Sequence, residues 1–167
     1  MTEAYIGLGS NLARPDKQLA TAFTALSQLP QTRFLKRSSI YQSAPVGPAG
    51  QADYLNAVAV IDTELSPLSL LNALQAQELK QGRERLQHWG PRTIDLDVLL
   101  FGDQEIHSER LTVPHAFLRE RAFVLRPLFE LDPELRLPCG EAIADLLDAV
   151  DESALIRYRP DKECADA

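Results

Sequence analysis

The order in which strand and helix signals follow one another along this chain leaves few ways to close a core. An apolar run at residues 4–8, Ala-Tyr-Ile-Gly-Leu, reads as a strand ending in Gly9-Ser10-Asn11. Pro15 suits a first helical turn, and Leu19, Ala22, Phe23, Leu26 and Leu29 then recur at helical spacing up to Pro30. Residues 32–42 carry Phe34, Leu35, Ile40 and Tyr41 without a helical stripe and predict a second strand, and residues 54–63 predict a third. Ser66 and Pro67 have the N-cap and first-position chemistry of a helix that runs along Leu68, Leu71, Leu74 and Glu78 and stops at Gly82. A fourth strand is expected from Thr93 to Phe101, then a turn at Gly102-Asp103 and a short return strand near Ile106.

Strand, helix, strand, strand, helix, strand is the split βαβ pattern. The expected fold is therefore α+β: a ferredoxin-like βαββαβ antiparallel sheet with helices on one face, plus C-terminal helical additions. Those additions are predicted over Phe117–Leu131, interrupted near Pro127, and over Glu141–Val150, with a frayed tail from about residue 155. No repeat or linker divides the chain, so residues 1–167 are expected to form a single domain. Such a fold hosts many functions, and chemistry has to be argued from side chains.

Composition removes several function classes. With 45% hydrophobic and 25% charged residues the chain is neither disordered nor fibrous. No apolar run approaches the ~20 residues of a membrane span, and the N-terminus lacks the basic start and apolar stretch of a secretory signal. The two cysteines, Cys139 and Cys164, have no metal-type spacing and fit a reducing cytoplasm. A net charge of −7 argues against general nucleic-acid affinity, which rests on neutralising phosphates.

The most informative residues are Asp95-Leu96-Asp97. On a strand, side chains two apart share a face with Cα atoms about 6.5–7 Å apart. Ile94, Leu96, Val98 and Leu100 are then expected on one face and both aspartates on the other, continued by Leu99 and Phe101. Two carboxylates among apolar neighbours repel one another unless a cation joins them, and a hard-oxygen site suits Mg²⁺. By itself the pair is a weak signal, more often that of two solvated carboxylates at a sheet edge. Upstream lie Arg83, Arg85, His88, Trp89 and Arg92, punctuated by Gly82 and Gly90-Pro91. Planar guanidinium groups bind phosphate oxygens two at a time, although Glu84 and Asp103 could instead neutralise a solvated loop. Taken together, the groups favour Mg²⁺-polyphosphate chemistry.

Other candidates flank this centre. His115 after Leu111-Thr112-Val113-Pro114 can donate to a phosphate or cap a helix. Tyr54 and Asn56 alternate onto one strand face behind the Pro/Gly-rich segment Ser43–Gln51, offering a stacking ring and a two-sided amide, with Phe123 able to close a sandwich. Plain core packing is the competing reading for both rings. Gly7-Leu8-Gly9-Ser10-Asn11-Leu12 lacks the third glycine of a dinucleotide fingerprint, and no P-loop occurs.

Tyr5-Ile6-Gly7-Leu8-Gly9-Ser10-Asn11-Leu12, Tyr54-Leu55-Asn56-Ala57-Val58, Trp89-Gly90-Pro91-Arg92-Thr93-Ile94-Asp95-Leu96-Asp97 and Leu111-Thr112-Val113-Pro114-His115 occur in that order. Over about residues 4–150 the sequence resembles the 6-hydroxymethyl-7,8-dihydropterin pyrophosphokinases of folate biosynthesis. The resemblance implies transfer of the β,γ-pyrophosphoryl unit of ATP to the pterin hydroxymethyl group, releasing AMP. It implies that Asp95 and Asp97 hold two Mg²⁺ ions and that Arg83 and Arg92 close over the triphosphate. Gln75, Glu78, Arg85, Trp89, Arg92, Val98, Arg110, Thr112, His115 and Arg121 would surround ATP. Tyr54 and Phe123 would sandwich the pterin, with Ser43, Ala44, Val46 and Asn56 around its amide edge. His88, Ala44 and Ala116 depart from common family residues. A cytoplasmic monomer acting on small molecules, without nucleic acid or membrane, is the expectation. The rival is an RNA-recognition module of the same strand order, which would be basic and carry paired sheet aromatics in a Lys/Arg-Gly-Phe type motif.

Overall fold

The computed structural model describes residues 1–11, 14–43, 53–82 and 94–158. Strand β1 (Thr2–Ser10) is the axis of the sheet. It pairs antiparallel with β4 (Tyr54–Thr63) from Thr2↔Thr63 to Ser10↔Leu55. On its other side it pairs antiparallel with β5 (Asp95–Phe101), from Ala4↔Phe101 to Gly9↔Asp95. Beyond β4 lie β2 (Thr32–Arg37) and β3 (Tyr41–Ser43), both antiparallel to it. The second expected strand is thus two. Arg37 faces Ala59 and Tyr41 faces Asn56, so four steps on one side match three on the other. The slack is taken up at Ser38, whose N–H donates to the Val58 carbonyl (2.8 Å) and whose Oγ accepts from the Val58 N–H (2.9 Å).

Two layers of helix cover the sheet, one on each face. Helix α1 (Pro15–Ser27) and helix α2 (Pro67–Lys80) bury Leu19, Leu26, Leu70 and Leu74 against Ile6, Leu8, Ile61 and Leu96. Helix α2 starts as expected, with the Ser66 hydroxyl accepting from the Ser69 N–H (3.1 Å). Helices α3 (Ala122–Leu131) and α4 (Ile143–Asp148) pack on the opposite face, where Leu125, Leu128, Ile143 and Leu147 meet Tyr5, Val58, Val60 and Leu99. Helices on one face therefore describes only α1 and α2. Strands β1 and β4, covered twice, read as nearly continuous apolar runs. Burial, with Asp132 and Glu3 nearby, pushes the Tyr5 phenol up to about 12.

Three further expectations need correction, at Leu99, at Pro127 and in the tail, while the short return strand near Ile106 is present. Tyr5 faces Leu100 and Ile6 faces Val98, which leaves Leu99 as an extra residue in β5. Past that bulge the faces exchange: Phe101 joins Leu96 and Val98, while Leu100 joins Leu99. The break expected at Pro127 falls earlier, between a 3-10 turn (Leu118–Glu120) and α3, which runs through Pro127. The short return strand is half of a hairpin, β6 (Ile106–His107) with β7 (Thr112–Val113). The expected tail is docked at its start, since β8 (Ile156–Arg157) pairs with β3 and the Tyr158 N–H donates to the Ile40 carbonyl (2.8 Å).

The far end of α3 is tied to β3 through Glu130. Its carboxylate accepts from the Tyr41 hydroxyl (2.8 Å), the Ser39 hydroxyl (2.8 Å) and the Ser39 N–H (3.1 Å), with Arg157 3.9 Å away. Burial alone would raise its pKa, yet these hydrogen bonds hold it below the ordinary 4.5. A carboxylate whose pKa is lower folded than unfolded stabilises above the unfolded value, and that contribution disappears as pH falls through the folded one. Glu130→Gln should lower the Tm at pH 7, and the gap to the parent should narrow between about pH 5 and 3; thermal melts across that range test it.

Candidate active site

On the face shared with α3 and α4, alternation places Asp95 and Asp97 of β5, Gly7 and Gly9 of β1, and Tyr54 and Asn56 of β4. The pairing aligns them in rows. Gly9 stands opposite both Asp95 and Asn56, and Gly7 opposite both Asp97 and Val58. Glycine is what lets these rows close. A Cβ on Gly9 would lie 2.6 Å from Asn56 Oδ1, so the Asn56 amide leans across the bare backbone of β1. Asn56 is only 8% exposed, so this lean is its settled position. At Gly7 the Leu99 side chain, thrown onto this face by the bulge, fills the space at 3.3 Å. Tyr54 is half-buried beside them. Its phenol is pushed above the ordinary value by burial and then by the Asp95 carboxylate, which places the ring and that charge within electrostatic reach.

Beside Asp97 a cleft of about 270 Å³ opens between α2 and the segment from β6 to the 3-10 turn. It is small for a ligand pocket, whose volumes start near ~300 Å³. Gln75, Glu78, Asp97, Val98, Arg110, Thr112 and His115, seven residues singled out in the sequence, line this one space. Leu71, Leu96, Leu111, Ala116 and Phe117 complete it. The Arg110 guanidinium spans its mouth, donating to Asn72 Oδ1 (2.6 Å) and Gln75 Oε1 (3.1 Å) on α2. His115 is held by its own backbone, its N–H on the Leu99 carbonyl (3.1 Å), and its Nδ1 accepts from the Phe117 N–H (3.2 Å). The local cap and the cleft position therefore coexist. Glu78 is 5% exposed, and its carboxylate accepts from the Leu96 N–H (2.8 Å).

Arg121, just ahead of α3, joins the two regions. Its guanidinium lies 5.0 Å from the Phe117 ring of the cleft and 5.5 Å from the Phe123 ring at the start of α3, both within cation-π range. Ser43 ends β3 opposite Tyr54. Arg83, Arg85, Trp89 and Arg92, with Ala44 and Val46, lie outside the described residues.

The donor set fits Mg²⁺. Asp95 and Asp97 are half-buried carboxylates on one face of one strand, and among the described residues no group of three or more ligating side chains gathers. One or two carboxylates, completed by water and phosphate oxygens, is the usual protein share of a Mg²⁺ site. Sequence reasoning did not single out Asn72, Phe117, Gly7 or Gly9 for the site. For the glycines a signal was available: two glycines at period two bare one face of a strand, whatever fingerprint they fail to match.

Comparison with known proteins follows the same lines. A family model described as 7,8-dihydro-6-hydroxymethylpterin-pyrophosphokinase (HPPK) matches residues 5–133. The 2-amino-4-hydroxy-6-hydroxymethyldihydropteridine pyrophosphokinase of Haemophilus influenzae is 50% identical over 160 residues, covering 96% of this chain and 100% of its own. The protein of the same name from Pseudomonas aeruginosa is 54% identical over 145 residues, covering 87% and 90%. In fold, the chain is similar to an HPPK-DHPS crystallised with substrates, at a TM-score of 0.71 and 13% identity. It is also similar to the wild-type Plasmodium falciparum HPPK-DHPS with pteroate, at 0.70 and 16%. These matches cover 89% and 88% of this chain but 43% and 44% of the solved ones, so it spans less than half their length. The match to the family model and the identity with relatives along nearly their whole lengths give one result: the chain belongs to the 7,8-dihydro-6-hydroxymethylpterin-pyrophosphokinase family.

Proposed function

We propose that this chain transfers the pyrophosphoryl group of ATP to the hydroxymethyl oxygen of 6-hydroxymethyl-7,8-dihydropterin, giving AMP and the pterin diphosphate for folate biosynthesis. The observation that carries the reading is the continuity of the two rows with the cleft. Asp97 belongs to both, so a nucleotide in the cleft and a flat ring beside Tyr54 would meet at the aspartates. The strand order β5-β1-β4 followed by β2 and β3 supports a ferredoxin-like reading of the fold.

In this reading the hydroxymethyl oxygen attacks the β-phosphorus, the bond to the α,β-bridging oxygen breaks, and that oxygen leaves with AMP. The hydroxyl proton passes to solvent. Such transfers depend on placement and charge neutralisation more than on a strong base. Asp95 and Asp97 would hold two Mg²⁺ ions, which supply neutralisation of the phosphate oxygens when bound. His115 and Arg121 would take further phosphate oxygens. Gln75, Val98, Arg110 and Thr112 would seat the nucleoside. Tyr54 and Phe123 would stack on the pterin while Asn56 and the backbone at Ser43 pair with its amide edge. Arg83, Arg85, Trp89 and Arg92, together with Ala44 and Val46, keep the roles that the family resemblance implies. Every group named lies on one chain, so a monomer formed as a single domain suffices; the substrates and the two widely spaced cysteines suit the cytoplasm. Among the described residues no helix is long and apolar enough to cross a membrane.

Three measurements test the proposal. With protein, Mg²⁺, ATP and the pterin, the adenine product should be AMP; ADP would mark a simple kinase and defeat the reading. Asp97→Ala should lower kcat at least about 100-fold and leave the Tm unchanged or raised, because a like-charge neighbour is removed. Gly9→Ala places a methyl against the Asn56 amide. It should raise the KM for the pterin about tenfold with the KM for ATP unchanged, in steady-state assays varying each substrate in turn.

A further inference from the structure

Strand β5 lies at one end of the strand order, and among the described residues β1 alone pairs with it in the sheet. In an antiparallel pair, residues alternate between directing their backbone groups at the partner strand and away from it. Leu96 N–H is one of the groups directed away, and Glu78 Oε2 receives it at 2.8 Å. By the same alternation, the backbone groups of Asp95 and Asp97 turn inward to Gly9 and Gly7 of β1. The three residues are thus gripped from both sides, the aspartates by the sheet and the residue between them by α2.

Burying a carboxylate is expensive unless it is hydrogen-bonded, and Glu78 is 5% exposed. The same position would hold an apolar side chain cheaply, since Glu78 shares its surroundings with Leu71 and Leu96. The Leu96 N–H meets Glu78 Oε2 at 2.8 Å, at the short end of the N–H···O range, so the arrangement fixes one N–H firmly. That N–H belongs to the residue whose backbone torsions set the distance and angle between the two aspartate side chains.

We infer that Glu78 is a positioning residue: its buried carboxylate clamps the Leu96 amide and so sets the spacing of Asp95 and Asp97, acting on the reaction through β5 and not through contact with the nucleotide. The inference rests on the proposed role of the two aspartates. It departs from the expectation, carried by the family resemblance, that Glu78 contacts ATP.

The test compares the parent with Glu78→Gln, which keeps an acceptor of the same length, and Glu78→Met, which keeps the volume and loses the acceptor. In the ligand-free parent, hydrogen exchange followed by NMR should show the Leu96 amide protected, although it faces away from the sheet. Exchange at the rate of an exposed amide would overturn the inference, even if neither variant folds. Glu78→Met should lose that protection, weaken Mg²⁺ binding in the presence of a non-hydrolysable ATP analogue by about 10- to 100-fold in calorimetry, and lower kcat by a similar factor. Its KM for ATP should stay within about twofold, and Glu78→Gln should restore most of all three. A raised KM for ATP with kcat and Mg²⁺ affinity unchanged would make Glu78 a nucleotide contact and overturn the inference. A parent protein that releases no AMP would refute the pyrophosphokinase reading, while the protection of Leu96 would still report on the clamp.

Discussion

The double pairing of β1, with β4 on one side and β5 on the other, is the constraint from which the site follows. Because the register is continuous from Thr2 to Ser10 on the β4 side and reaches Gly9 on the β5 side, three strands deliver side chains to common rows. A slip of one residue in either pairing would send the aspartates or Asn56 to the face packed by α1 and α2. Hydrophobic burial on both faces makes such a slip costly. A slipped β4 would carry Ile61 out of one core and Val58 and Val60 out of the other, and a slipped β5 would do the same to Leu96 and Leu99. The position of the polar groups is thus enforced by apolar residues of the two cores.

The two cores divide the labour. The layer built by α1 and α2 continues along β5 through Leu96 and Val98 and supplies the wall that the cleft shares with Leu71. The layer built by α3 and α4 covers Val58, Val60 and Leu99 and brings Arg121 and Phe123 to the start of α3, at the other side of the aspartates. The wall of the cleft and the face that carries Phe123 are then set by separate helix pairs against one sheet.

Much of this was legible in the sequence because punctuation and period agreed. Ser66-Pro67 marked the start of α2, the β4 segment read as strand throughout, and seven of the cleft residues were recognisable before any geometry. The failures have physical reasons. Val98, Leu99 and Leu100 are all apolar, so alternation carries no information about which face each takes, and the bulge at Leu99 is silent. Pro127 reads as a helix breaker, worth ~3 kcal/mol in an interior, but burial of Val124, Leu125 and Leu128 around it outweighs that cost. The helices of the second face could be located by pattern, whereas the face they choose depends on tertiary packing. The tail misled because Ile156-Arg157 is too short to declare a strand without its partner β3.

The seat of Arg121 between Phe117 and Phe123 bears on the phosphate capture proposed for it. An arginine steered by a carboxylate surrenders much of its field to that partner, and the pair must part before a phosphate can take its place. Aromatic faces attract a guanidinium through their quadrupole and leave its net charge intact. With its long side chain already confined between two rings, Arg121 has shed part of the rotamer freedom that capture would otherwise cost. For the phosphate contact proposed above, it would serve as a preset and still charged landing point beside the cleft.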